Sequence, residues 1–335
     1  LNDRSDSVAL QFALLATPAC LNALVRSSML PRSVTAHDAL SHLRNRHLHV
    51  QDLNVVIATL RADGFLREPK VCTLVISAHG NQHRWMDSLC LLEEMRQSVV
   101  EPNVITCNAA MSVCEKGAAW QCALGLVAEI VADSSEPDAI TRISAICACE
   151  AAKQWQQAHY IVADMKSKGL ELSVIIYSAA ISACQKGEEW QQALMLLADM
   201  QRNGIEPDVI VFNAAISACG TSRKSSQAVN LLVDMKHIEL KPNVITCNAA
   251  ISACEKAADW RRALALLAGM EQSGPEPDVI SYNAAISACE KGAEWQHALA
   301  LLADMWRNDL QTSVVTYGAA LSACEKGAKW KHALA

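Results

Sequence analysis

The sequence predicts an all-α solenoid built from helix–turn–helix repeats, and three observations carry that prediction. Trp85, Trp120, Trp155, Trp190, Trp260, Trp295 and Trp330 stand 35 residues apart, with one gap of 70 across Ser225, which takes the missing slot. Pro102, Pro137, Pro207, Pro242 and Pro277 keep the same spacing, with Leu172 standing in where one Pro is missing. The segment NAAISACEKG at 283–292 returns as NAAMSVCEKG at 108–117, SAAISACQKG at 178–187, NAAISACEKA at 248–257 and GAALSACEKG at 318–327. A fixed period in the range of about 20–50 residues is the signature of stacked repeats. Composition agrees. Hydrophobic residues make up 51% of the 335 and aromatics only 4%, and an Ala- and Leu-rich mix favours helix over strand.

Opening each repeat two residues after the Pro position gives 104–138, 139–173, 174–208, 209–243, 244–278 and 279–313, each 35 residues long. A truncated repeat runs 314–335. Upstream, 71–103 is two residues short and 34–70 two residues long in this frame. Residues 1–33 match the repeat poorly and are expected to be a degenerate N-terminal segment or cap. A chain that starts at Leu1 and stops inside a repeat at Ala335 is expected to be a fragment.

Within 279–313, Tyr282, Ala285, Ile286 and Cys289 recur at helical spacing and predict the apolar stripe of a first helix. Ser281 is expected to cap its N-terminus, as are Thr106, Thr246 and Thr316 in their repeats. Gly292 is expected to end it. Trp295, Ala298, Leu299, Leu302 and Met305 predict the buried face of a second helix, with the Trp series packed in the core. Ala284 and Ala288 allow close approach of neighbouring helices. No repeat can bury its stripe alone, so neighbours must stack. Asn283, Ser287 and Lys291, spaced by four, then project from one polar side, with Ile280 just before it.

Other readings of the same residues are weaker. The formal charge is −6 and the pI about 5.9, which argues against non-specific, charge-driven nucleic-acid binding. Cys114, Cys149, Cys184, Cys219, Cys254, Cys289 and Cys324 occupy one slot of the first helix. Adjacent helices are about 8–10 Å apart, too far for disulfides without distortion, so the series reads as packing. His237-Ile238-Glu239 matches half of a zinc-deaminase signature, but no P-C-x-x-C follows, and the triplet falls in an inter-repeat turn. His37, His42, His47 and His49, interleaved with Arg44 and Arg46, read as a basic surface patch. No metal, cofactor or membrane partner is expected. No set of residues is arranged for catalysis, and an enzyme is not expected.

The hairpin VITCNAAISACEKAADWRRALALLAGMEQSGPEPD at 244–278 resembles a pentatricopeptide repeat, and the resemblance covers roughly residues 34–335. The Trp that opens each second helix departs from the usual aliphatic residue. The resemblance implies a right-handed superhelical α-solenoid that binds single-stranded RNA, with about one base read per repeat by two or three side chains. The fifth and last residues of each repeat would contact the base edge: Asn108 with Asp138 for U, Ser178 with Asp208 for G, Asn213 with Asn243 for C or U, Asn248 with Asp278 for U, and Asn283 with Ser313 for C. Ile143 with Ser173 matches no known pair. The implied target is 5′-U-N-G-Y-U-Y-3′. The second residue, Ile105, Ile175, Ile210, Ile245 or Ile280, would sandwich bases. Lys116, Lys186, Lys256, Lys291 and Lys326 would face the phosphates. Family members act in organelle RNA processing, stability, editing or translation, alongside other RNA-processing proteins. The chloroplast is favoured here over the mitochondrion. The competing expectation is a helical-repeat scaffold for protein–protein interaction, since solenoids present concave surfaces to proteins.

Overall fold

The computed structural model describes Leu43 and residues 50–98, 100, 102–132 and 139–327. The segment 1–33, the cluster His37, His42, His47 and His49 with Arg44 and Arg46, and Trp330 lie outside the described residues. Among the described residues every regular element is helical, and the chain forms two compact units that divide after Ala152.

The N-terminal unit contains α1 (Val50–Ala62), a 3-10 turn (Phe65–Arg67), α2 (Pro69–Asn81), α3 (Trp85–Gln97), α4 (Val104–Lys116), α5 (Trp120–Ala132) and α6 (Ala139–Ala151). The C-terminal unit contains α7 (Trp155–Ser167), α8 (Val174–Lys186), α9 (Trp190–Arg202), α10 (Val209–Thr221), α11 (Ser225–His237), α12 (Val244–Lys256), α13 (Trp260–Ser273), α14 (Val279–Lys291), α15 (Trp295–Arg307) and α16 (Val314–Lys326). In each unit the first helices of successive repeats pack side by side: α2 on α4 on α6, and α8 on α10 on α12 on α14 on α16. Within a unit, a second helix packs against its own first helix and the next one, as α13 does against α12 and α14. Each unit is thus an α-solenoid of helical hairpins, the class that the 35-residue period predicts. The helix α2 starts at Pro69, one full period before α4 starts at Val104. The sequence frame that opens a repeat at residue 71 therefore begins two residues inside that helix.

Small side chains make the close packing of first helices possible. Ala180, Ala215, Ala250 and Ala285 are fully buried, and so are Cys184, Cys219, Cys254 and Cys289. Burial pushes the thiols of Cys114, Cys149, Cys184 and Cys254 up to about 12, so they are protonated packing residues. Among the described residues no His, Cys, Asp and Glu side chains gather to hold a metal ion. No described helix is long and apolar enough to cross a membrane. His237 ends α11 and Glu239 stands exposed in the following turn with φ 57°, so the His-Ile-Glu triplet is an exposed turn.

One terminal assignment differs from the sequence reading. The N-cap of α14 is Asp278, the last residue of the preceding repeat, whose side chain accepts from Ser281 N–H at 2.9 Å. Ser281 is the third residue of the helix, and its hydroxyl accepts from Asp278 N–H at 3.1 Å, completing a capping box. Asn243 with Thr246 and Ser313 with Thr316 form the same box, and Asn103 caps Thr106 N–H. The sequence reading had the cap at the wrong end of the box. The helix starts one residue past the repeat boundary, where extended backbone at Asp278 aims its oxygen at the third N–H.

Gly292 ends α14 as its C-cap, as the sequence predicts, and the reason for glycine there lies in the neighbouring repeat. Gly187 and Gly292 have ordinary right-handed backbone (φ −83° at both). The left-handed residues are the next ones, Glu188 (φ 62°) and Ala293 (φ 57°). They cost about 1–2 kcal/mol each as non-glycines, offset by the bonds of a Schellman turn. In the last of these, Ala293 N–H donates to Glu290 O and Glu294 N–H to Cys289 O. Gly187 leaves room for an indole, since a Cβ there would fall 2.6 Å from Cδ1 of Trp155 in the preceding repeat. Gly327 meets Trp295 at the same distance, and Gly117 and Gly292 meet Trp85 and Trp260. The Trp series thus lies half-buried between repeats rather than deep in the core. Trp260 also meets the ring of His297 at 5.0 Å, and Lys224 Nζ lies 5.5 Å over Trp190. Where Ser225 replaces Trp, Ala257 replaces Gly, and the Ser225 hydroxyl donates to Asp259 Oδ2 at 3.1 Å. Ala152 and Ser222 hold the glycine slot one repeat after Trp120 and Trp190, so a ring can yield at a cost.

Gly187→Ala is accordingly expected to destabilise the C-terminal unit by about 1–3 kcal/mol, the usual cost of overpacking. In a Trp155→Ser background, which copies the Ser225–Ala257 pairing, the same change should cost close to nothing. Denaturant titration of the four proteins measures this coupling. Additive effects would show that the indole does not require the glycine.

Candidate nucleic-acid interface

One side of each first helix carries a repeated set of side chains. Its most exposed members are apolar. Ile105 and Ile140 in the N-terminal unit are 69% and 62% exposed, and Ile175, Ile210, Ile245, Ile280 and Val315 in the C-terminal unit are 62–69% exposed. An isolated exposed Ile needs no explanation, but the same slot left open on successive helices does. Of the residues that the sequence names as base-sandwiching, Ile175, Ile210, Ile245 and Ile280 therefore stand on successive first helices of the C-terminal unit, and Ile105 stands beside Ile140 in the N-terminal unit. The Trp series lies at the other end of the first helices, against their C-caps.

One turn further along the helix stand the fifth residues, Asn108, Ser178, Asn213, Asn248 and Asn283, all half-buried. The last residues of the repeats, Asp208, Asn243, Asp278 and Ser313, occupy the N-cap positions of the following first helices. Ser173 holds the same position without a side-chain cap bond. Asp138 lies outside the described residues. In the repeat 244–278 the structure brings the pair together: Asn248 Nδ2 donates to Asp278 Oδ1 at 3.0 Å. Burial of the Asp278 carboxyl raises its pKa, but bonds from Ser281 N–H, Asn248 and the Ser281 hydroxyl outweigh it and hold the group below the usual carboxylate range. Asp278 is therefore an ionised, acceptor-only group. Its side-chain partners and the Ser281 N–H all fall on Oδ1, so acceptor capacity remains on Oδ2.

A third residue, which the sequence reading passed over as a helix cap, touches the fifth. The Ser281 hydroxyl donates to Asn248 Oδ1 at 2.5 Å. Thr316 donates to Asn283 Oδ1 at 2.7 Å, and Thr141 to Asn108 Oδ1 at 2.6 Å. Thr141, Ser281 and Thr316 are fully buried. The signal was present in the chain: every repeat with Asn at its fifth position is followed by Ser or Thr at the third position of the next. Ser178 is followed instead by Val211, and Ile143 by Ile176.

The lysines stand exposed at the C-terminal end of the first helices. Lys116 donates to Asn81 Oδ1 at 3.1 Å. Lys291 pairs with Glu255 and Lys326 with Glu290, both at 2.9 Å. Burial raises the Glu290 carboxyl, but hydrogen bonds from Lys326 and Ser322 outweigh it and lower it overall. The row is thus interleaved with acids from the preceding repeat.

The sequence matches the pentatricopeptide repeat domain over residues 58–116, 125–187, 160–223, 195–255 and 230–291, and the PPR repeat over 280–310. No curated protein sequence matches the chain. Two solved structures of the pentatricopeptide repeat protein PPR10 in complex with an 18-nt psaJ RNA element, one of them a triple Cys-to-Ser variant, are similar in fold. Each superposes with a TM-score of 0.70 at 19% identity, over 96% of this chain and 46% of PPR10. The structure of PPR10 from maize covers 94% of this chain and 54% of its own at 18% identity, with a TM-score of 0.42. The chain thus spans about half the length of these structures. With the repeat domain matched over more than half of its residues, in phase with the helical hairpins described above, the chain belongs to the pentatricopeptide repeat family.

Proposed function

We propose that this chain binds single-stranded RNA and selects it by sequence, about one base per repeat. The observation that carries this reading is the pairing of Asn248 with Asp278 between the exposed Ile245 and Ile280. First helices lie about 8–10 Å apart, and two van der Waals contacts of about 3.5–4.0 Å fill most of that span. One base fits between two Ile side chains, and a second does not. At its edge an amide N–H faces an acceptor, and an ionised carboxylate faces a donor. Uracil offers both, a carbonyl oxygen and N3–H. Cytosine has a bare N3 lone pair where the carboxylate demands a proton. In the repeat 174–208 the short Ser178 leaves room for a purine, and Asp208 suits the N1–H and N2–H₂ donors of guanine.

Extended to the other pairs, the reading gives 5′-U-N-G-Y-U-Y-3′, with Asn108 and Asp138 on the first base and Asn283 and Ser313 on the last. The fold likeness to PPR10, whose solved structures hold RNA, supports it. The lysine row supports it too. Exposed ion pairs such as Lys291–Glu255 are worth about 0–1 kcal/mol, so a phosphate can displace the glutamate. The finer role proposed is RNA processing, stability, editing or translation in an organelle, with the chloroplast ahead of the mitochondrion. That role rests on the family resemblance. The open Ile rows would also suit a protein partner, so the decisive test is RNA itself.

Selection from a random RNA pool is expected to enrich G-Y-U-Y, the part of the target read by 174–313. A bound pool without base preference, or no bound pool at all, would leave the scaffold reading in its place. Replacing Lys186, Lys256 and Lys291 by Ala should weaken binding to all RNAs by a similar factor. It should also flatten the salt dependence, by about 0.7 in the logarithmic slope per lost phosphate contact. An unchanged slope would show that these lysines do not meet the backbone.

A further inference from the structure

We propose that the third residue of a repeat is a positioning residue that sets base selection in the repeat before it. The inference rests on the RNA reading above and adds to it a residue outside the base-contacting set. Its basis is a proton count. The Ser281 hydroxyl accepts from the backbone N–H of Asp278 at 3.1 Å to complete the capping box. A hydroxyl has one proton, and here the nearest acceptor for it is Asn248 Oδ1 at 2.5 Å, with Asp278 Oδ1 at 3.0 Å. The amide oxygen of Asn248 is therefore the end held by the buried hydroxyl. Its Nδ2 is the end left for the carboxylate and for a base. Without that hydroxyl the amide would be held at its Nδ2 end alone, by the Asp278 carboxylate, and its oxygen would lose the one buried donor that fixes it.

Thr316 repeats the arrangement. It accepts from Ser313 N–H at 3.1 Å and donates to Asn283 Oδ1 at 2.7 Å. In the N-terminal unit, Thr141 donates to Asn108 Oδ1 at 2.6 Å. The exception is instructive. Thr246 donates to Asn243 Oδ1 at 2.9 Å, and Asn213 Oδ1 is buried without a partner among the described residues. That repeat has Asn at both reading positions and one proton for two amide oxygens. Where the fifth residue is Ser178, the third residue of the next repeat is Val211, fully buried and without a hydroxyl. The residue that reads guanine thus has no amide to orient, and no orienting group.

It follows that changing Ser178 to Asn alone installs an amide with no orienting hydroxyl. The Val211→Thr change supplies the hydroxyl in the same volume.

The test measures RNA binding at one fixed salt, with oligonucleotides that differ only at the base opposite Asn248 or only at the base opposite Ser178. The parent is expected to prefer U over C at the first site. Ser281→Ala should cut that preference about tenfold, the scale of one base contact, and leave the preference opposite Ser178 unchanged. Ser281→Thr should keep the parent's preference. Ser178→Asn with Val211→Thr should prefer U over G by about tenfold more than Ser178→Asn alone, while Val211→Thr alone should change no preference. If the parent prefers U and Ser281→Ala keeps the full preference, the positioning role is wrong and the base reading stands. The role is also wrong if Ser281→Ala lowers both preferences equally, because that is the mark of a loosened helix rather than a misoriented amide. If the parent shows no preference at either site, the base reading fails and takes this inference with it.

Discussion

Everything in this chain depends on the packing of one first helix against the next. A single hairpin has an apolar stripe on each helix and only one partner to bury it, so neighbouring repeats must supply the rest. The stripe of α14 illustrates this. Ala285, Ile286 and Cys289 are fully buried, and the cluster that holds them takes in residues from α12, α13, α15 and α16. Alanine at the contact brings the helices close. That closeness in turn dictates Gly187 beneath Trp155, and it puts the first turn of each first helix within hydrogen-bond reach of the fifth residue of the one before.

The same closeness merges two tasks that are separate in most helical proteins. Asp278 caps α14 and also stands beside Asn248 on the exposed edge. Ser281 closes the capping box and also holds the Asn248 amide. Groups that must be satisfied to start a helix are thereby placed, with fixed hydrogen-bond polarity, where a ligand would meet them. Preorganisation of this kind costs no further ordering on binding. It also means that variation at a reading position carries a helix-stability cost, and Ser173, which makes no side-chain cap bond, marks a repeat where that support is weaker.

Electrostatics on the exposed edge are balanced rather than simply basic. Glu255 and Glu290 neutralise Lys291 and Lys326 across the repeat boundary. A net charge of −6 and paired lysines limit general attraction to polyanions. In the proposed reading, the apolar Ile row contributes contact area to any base, and the polar pairs beside it decide which base.

The sequence by itself determined the period, the helical hairpin and the family. A 35-residue repeat of apolar positions at helical spacing has one economical packing solution, and Trp, Pro and the NAAISACEKG segment mark its phase. It also determined which slots face outward, because Ile280, Asn283, Ser287 and Lys291 interrupt the apolar stripe in a regular way. Only the tertiary structure decided what those residues do to one another. That Gly187 answers to Trp155 rather than to a left-handed backbone, that Asp278 rather than Ser281 is the N-cap, and that Ser281 donates to the amide oxygen of Asn248 are all contacts across a repeat boundary. Sequence periodicity reports the face on which a side chain lies. It carries no information on the direction of a hydroxyl proton or the clearance between two helices, which are set by how closely neighbouring repeats pack.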